Sequence, residues 1–202
     1  TAIPRMSLLS NGNVGINSVI PMVRFNVHNG SVLFDGEQGS TPMTRGINAT
    51  TLEYEQQEIG EGTRLMWIPS KAAFRAGAVT DDRWDSGNIG NYSVATGFNC
   101  TAKGVGSVAM GDNCEAKSLN SFAGGVQCEV SKDAADPNKN DSHASFAYGH
   151  SVKIFSSFDC MAAGYTVKIN RNCERSFAFG DNLEITNAQD AFVFGMGKIT
   201  YI

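Results

Sequence analysis

The chain has 202 residues, of which 42% are hydrophobic and 18% charged, with a formal net charge of -4. That is enough apolar material to build a core, in one large domain or two small ones. Nucleic acid is excluded as a natural partner by the lack of any Lys/Arg-rich run, and no apolar stretch is long enough to span a bilayer.

The chain opens at Thr1 without a signal-peptide-like segment and is expected to be a fragment of a longer protein. Residues 1–90 carry no fixed period. Short strand-like runs occur at Met6–Leu9, Val14–Ile16, Val23–Val27, Val32–Phe34 and Leu65–Ile68. Asn29-Gly30 predicts a hairpin, because both central residues accept positive φ. These features predict a small β-rich module that caps residues 91–202, with Trp67, Phe74 and Trp84 as cap candidates. The segments Asn11–Ile16 and Arg64–Gly77 through Gly90 are similar to leaders in fibre-like surface proteins of phages and other viruses.

From Ser93 onward one phrase recurs seven times: a small residue, a large apolar one, Ala or Val, a variable residue, Gly. Its closing glycines, Gly97, Gly111, Gly125, Gly149, Gly164, Gly180 and Gly195, are 14, 14, 24, 15, 16 and 15 residues apart. A period this short fits one turn of a β-solenoid rather than a helical repeat. Two strands are expected per coil. In the second, apolar residues such as Cys100/Ala102 and Val167/Ile169 alternate with charged ones such as Lys103, Glu115, Lys117, Glu129 and Lys153. Such alternation predicts one face in a core and one in water. The first strand is apolar on both faces, small on one and bulky on the other, as in a strand buried on both sides. A coil of this length encloses one narrow core, so the second face predicts a neighbouring copy of the chain. Either column satisfies the pattern. The bulky one, Val94, Val108, Phe122, Phe146, Met161, Phe177 and Phe192, is taken as the interface.

The phrase Ser-Val-Ala-x-Gly-x-x-Cys/Ala-x-Ala, in register over residues 91–197, resembles the head repeats of YadA-like trimeric adhesins. That resemblance implies a left-handed parallel β-roll, a homotrimer and no catalysis. The expected architecture is therefore all-β, with a β-rich module over 1–90 and a β-roll of about seven coils over 91–202.

Residues 131–142 lengthen one coil, are rich in turn formers and must loop out of the solenoid. Insertions in solenoids map to surface loops that carry binding. Lys132, Asp133, Asp136, Asn138, Lys139, Asn140 and Asp141 are the candidate receptor-binding residues. Cys100, Cys114 and Cys128 stand three residues after successive repeat glycines and predict a column of buried thiols. His28, His143 and His150 lack any triad context, and no Cys/His spacing suits zinc. Asp81, Asp82 and Asp85 form a carboxylate cluster, read as a solvated turn with local Arg pairing or, alternatively, a cation site or a hydrolase pair spaced across a groove.

The functional expectation is a non-enzymatic trimeric fibre or adhesin head on a virion or cell surface. It would attach to a host glycan or protein receptor, with no cofactor, metal, nucleic acid or membrane insertion. The alternatives are a fibre-borne glycan depolymerase with carboxylates in an intersubunit groove, and a passive spacer of a bacterial autotransporter adhesin.

Overall fold

The computed structural model describes residues 6–10, 12–16, 25–27, 59–131, 143–170 and 172–200. The chain forms two compact units, Thr1–Asp35 and Gly36–Ile202. In the first, β1 (Met6–Leu8) pairs antiparallel with β2 (Val14–Ile16), which pairs parallel with β3 (Phe25–Val27). Gly12, at φ 82°, turns the chain between β1 and β2, and its amide donates to Leu9 O at 2.8 Å. The Asn29-Gly30 turn predicted from sequence lies outside the described residues.

The second unit is a parallel β-solenoid, and no α-helix occurs among the described residues. It starts with an antiparallel hairpin, β4 (Gly62–Ile68) and β5 (Ala73–Val79). Next come the rungs. The first stack holds β6 (Val94–Phe98), β8 (Val108–Asp112), β10 (Phe122–Val126), β12 (Phe146–His150) and β14 (Met161–Tyr165). The second holds β7 (Thr101–Ala102), β9 (Glu115–Ala116), β11 (Glu129–Ser131), β13 (Lys153–Phe155) and β15 (Lys168–Asn170). The long strands β16 (Phe177–Thr186) and β17 (Phe192–Thr200) run through both stacks. The seven repeat glycines are thus separated by six turns of the solenoid, and each glycine is the register partner of the next. The inserted segment leaves this register intact: Gly125 faces Gly149 as directly as Gly97 faces Gly111.

Two local devices make the coil. Two residues after each of the first six repeat glycines the chain passes through a left-handed residue: Asn99, Asn113, Gln127, Ser151, Thr166 and Asn182. The amides of Asn113, Gln127, Ser151 and Thr166 each donate to a carbonyl of the preceding rung at 2.8 Å, so rung-to-rung bonding offsets the cost of the corner. The repeat glycines permit the close stacking itself. A Cβ on Gly111 would lie 2.0 Å from Gly125 O, and the backbone there has φ 123°.

The small column fills the core. Ala95, Ala109, Ala123, Ala147, Ala162 and Ala178 are wholly buried, facing Cys100, Cys114, Cys128, Val152, Val167 and their neighbours. Ile154, Ile169 and Ile185 replace Ala102 and Ala116 where the coils lengthen, filling the wider lumen.

One rung precedes the seven. Ala73-Phe-Arg-Ala-Gly77 repeats the phrase with Arg in the alanine position, and β5 pairs with β6 so that Phe74 faces Val94, Arg75 faces Ala95 and Gly77 faces Gly97. Arg75 is fully buried at the mouth of the lumen and donates to Phe74 O, Ser93 O, Ser93 Oγ and Ala102 O at 2.8–3.0 Å. Of the three aromatic cap candidates, Trp84 closes the lumen. Trp67 and Phe74 lie instead on the outward face of the sheet, because strand alternation points them away from the core.

Candidate functional site

The outward face of the first stack is the most distinctive surface. Pairing aligns Trp67, Phe74, Val94, Val108, Phe122, Phe146, Met161, Phe177 and Phe192 in one column. All seven residues predicted as an interface lie in it. Val94 through Met161 are half-buried by their rung neighbours, whereas Phe177 is 40% and Phe192 73% exposed. Phe122 and Phe146 stack with ring centroids 4.6 Å apart and planes 8° from parallel. A second column, two residues on, presents Leu65, Met110, Tyr148, Phe179 and Phe194 on the same face. The alternation leaves the small side chains in the lumen, so the bulky column is the one presented outward. The two columns gather exposed large apolar side chains on one face, a concentration of the kind that marks an interaction surface.

The outward face of the second stack is polar. Glu115 pairs with Arg83 at 2.7 Å and with Lys117, while Glu129 lies 3.8 Å from Lys117 and 3.5 Å from Lys153. Burial opposes ionisation of Glu115, but Lys117 and Arg83 outweigh it and hold the carboxyl below its usual range. Where this face meets the loop before β6, a groove of about 590 Å³ opens, lined by Asp81, Asp82, Arg83, Asn88, Thr101, Lys103, Glu115, Lys117 and Ser131. The carboxylate cluster divides here. Asp85 accepts from Ile59 N–H and Gly60 N–H at 2.7 and 2.8 Å and anchors the chain entering β4. Asp81 accepts from Arg83 Nε at 2.9 Å, and the Asp82 carboxylate has no partner among the described residues.

The cysteines are all reduced and buried. Cys100, Cys114 and Cys128 form the predicted column, each thiol donating to the next rung's glycine carbonyl at 3.3 Å. Hydrogen bonding to Cys100 pushes the Cys114 thiol up to about 11, and burial pushes Cys160 up to about 12. His143 packs near Phe158 and His150 stacks on Tyr165. No group of three metal-ligating side chains occurs among the described residues. Lys132, Asp133, Asp136, Asn138, Lys139, Asn140 and Asp141 of the predicted receptor loop lie outside the described residues, as does His28.

Sequence reasoning missed Arg75 and the groove. The phrase at Ala73–Gly77 was signal enough for the first; the second depends on Arg83 reaching Glu115 across 32 residues of sequence. No family model, no curated protein and no solved structure matches this chain.

Proposed function

We propose that this chain is a non-enzymatic segment of a surface attachment fibre, assembled as a homotrimer through the outward face of the first stack. The observation that carries this reading is the bulky apolar column, Trp67 to Phe192, continuous over nine strands and uncovered among the described residues. At about 4.8 Å per strand the face is roughly 40 Å long, a surface on which burying apolar area stabilises association by about 25 cal/mol per Å². The number three rests on the resemblance of the phrase to trimeric adhesin heads. A fibre on a virion or cell surface would present three copies of every outward feature, so that weak contacts to a host receptor multiply.

Light scattering in solution, with and without reductant, tests the assembly. A mass of three chains in both conditions is expected, since the thiols are buried inside each protomer. A monomer in both conditions would overturn the reading.

A further inference from the structure

The polar groove is a built site that the apolar face does not use. Its floor is the start of the second stack, Thr101 and Lys103 with Glu115 and Lys117 above them, and its wall is the loop carrying Asp81, Asp82, Arg83 and Asn88. The wall is held rigidly. Arg83 donates through Nε to Asp81 and through Nη1 to Glu115 and to Asn99 O, at 2.9, 2.7 and 3.2 Å. Asn88 donates through Nδ2 to Asp82 O at 3.0 Å and accepts from Lys103 Nζ at 3.1 Å.

These contacts leave specific groups unspent. Among the described residues the Asp82 carboxylate, the Thr101 hydroxyl and Arg83 Nη2 have no partner, and Lys103 has no carboxylate partner. The groove therefore offers an unpaired acceptor, a hydroxyl and two cationic donors on preorganised side chains. Among the described residues its formal charge is balanced, with Arg83, Lys103 and Lys117 against Asp81, Asp82 and Glu115. Among the described residues no aromatic or large apolar side chain lines it, so they supply no anchor for an apolar ligand or a peptide side chain. A balanced site gives a charged ligand no long-range net attraction. The fitting ligand is neutral, hydroxyl-rich and able to donate and accept from adjacent atoms.

We propose that this groove binds a neutral hexose residue of a glycan. One hydroxyl donates to Asp82 while its neighbours accept from Lys103 and Arg83 and exchange a hydrogen bond with Thr101. Without aromatic stacking each site is weak, in the millimolar range, and gains from repetition on the fibre. The assignment deepens the attachment reading and rests on it for its purpose. The groove itself belongs to the second stack, away from the apolar face of the first.

Saturation-transfer NMR and calorimetric titration with glucose, galactose, mannose, their disaccharides, glucuronate and sialyllactose, at low and high salt, test it. Saturable binding with little salt dependence is expected. Asp82→Asn should weaken it roughly tenfold or more, through loss of a charge-assisted hydrogen bond. Thr101→Val should weaken it several-fold, and both variants should keep the parent circular dichroism and melting temperature. Binding only of uronates or sialylated sugars, lost at high salt, would overturn the neutral ligand. No saturable binding of any of these sugars would overturn the site. Sugar binding by a protein that scatters as a monomer would leave the groove standing while the assembly reading falls; a trimer that binds no sugar would do the reverse.

Discussion

Trp84 donates its indole Nε1–H to the backbone carbonyl of Cys100 at 2.9 Å, and both residues are completely buried. In the next two rungs the equivalent carbonyls accept from backbone: Cys114 O from Thr101 N–H and Cys128 O from Glu115 N–H, each at 2.8 Å. Trp84 thus supplies the donor that a preceding rung would have supplied. Arg75 does the same for Ala102 O, whose successor Ala116 O accepts from Lys103 N–H. At this end of the second stack the Trp84 and Arg75 side chains, with Gly90 N–H donating to Ala102 O at 3.0 Å, supply the donors of the one absent strand.

Removing this cap should unzip the rod from one end. Trp84→Ala is expected to cost about 3–5 kcal/mol, as for other buried large-to-small changes. Trp84→Phe keeps most of the volume but strands a buried carbonyl, for about 1–3 kcal/mol. Urea denaturation measures both. Hydrogen exchange should show protection lost first around Thr101–Ala102 and last near the middle rungs, since stability in a solenoid is carried between neighbours. Uniform loss of protection along the rod would contradict the cap role.

The glycine stack gives a sharper contrast. Gly111→Ala places a Cβ 2.0 Å from Gly125 O at φ 123°, and clash and strain together should cost about 2–5 kcal/mol. Gly87→Ala meets nothing within 4 Å and should stay within about 0.5 kcal/mol of the parent. Equal melting temperatures for the two variants would show that the rungs have room for a side chain at the glycine column.

Much of this was legible in sequence, because a solenoid writes its third dimension as a period. The stacked glycines, the thiol column and the outward charged residues are all implied by the spacing. The spacing could not say which apolar column filled the lumen. Only the alternation in β6, with Ala95 buried and Val94 half-buried, resolves that. Arg75 stayed hidden because it breaks the phrase at the small position that is otherwise Ala or Val, and it does so where no further parallel rung lies beyond it. The groove was illegible for another reason. Its lining comes from a loop and from three strands that meet only through the coil, and no local pattern encodes that meeting.

The thiols predict an alkaline limit to stability. Cys114 and Cys160 are pushed up to about 11 and about 12 in the folded chain, from 9.0. A group with a raised folded pKa contributes stability that is complete below the unfolded value and declines as pH rises toward the folded one. Stability should therefore fall between about pH 9 and 12, by at most about 1.4 kcal/mol per pH unit for each such thiol. Burial lowers Arg75 to about 10 and works in the opposite sense above that pH. The thiol contribution is isolated with Cys160→Ala, whose alkaline slope should be shallower than the parent's. Ellman's reagent should find no reactive thiol in the native protein and five after denaturation.

The apolar face predicts a variant that folds but does not assemble. Phe146→Lys sits at the centre of the outward column and touches no lumen residue's position, since Ala147 is the one that points inward. Its circular dichroism should match the parent, and its solution mass should fall to one chain. The control is Lys168→Ala on the second stack, which should leave the mass unchanged. A trimer that survives Phe146→Lys would place the contact elsewhere on the rod.

The insertion separates scaffold from decoration. Register holds across it, with Phe122 facing Phe146 and Ser131 facing Phe155, so the coil closes at the same place with the added residues as without them. Ser131, N-terminal to the insertion, occupies the place of Lys117. Ala144 beyond it occupies the place of Asn120: Ala144 N–H donates one rung back to Leu119 O, as Asn120 N–H does to Val105 O. Replacing residues 132–142 with a single serine, the residue found there as Ser118, restores the 14-residue coil. Melting temperature and solution mass should be unchanged, because the rungs on either side keep their register across the insertion. If the loop engages a receptor, attachment to host cells falls in this variant while sugar binding in the groove persists. Attachment equal to the parent would assign the insertion to decoration and leave recognition to the groove.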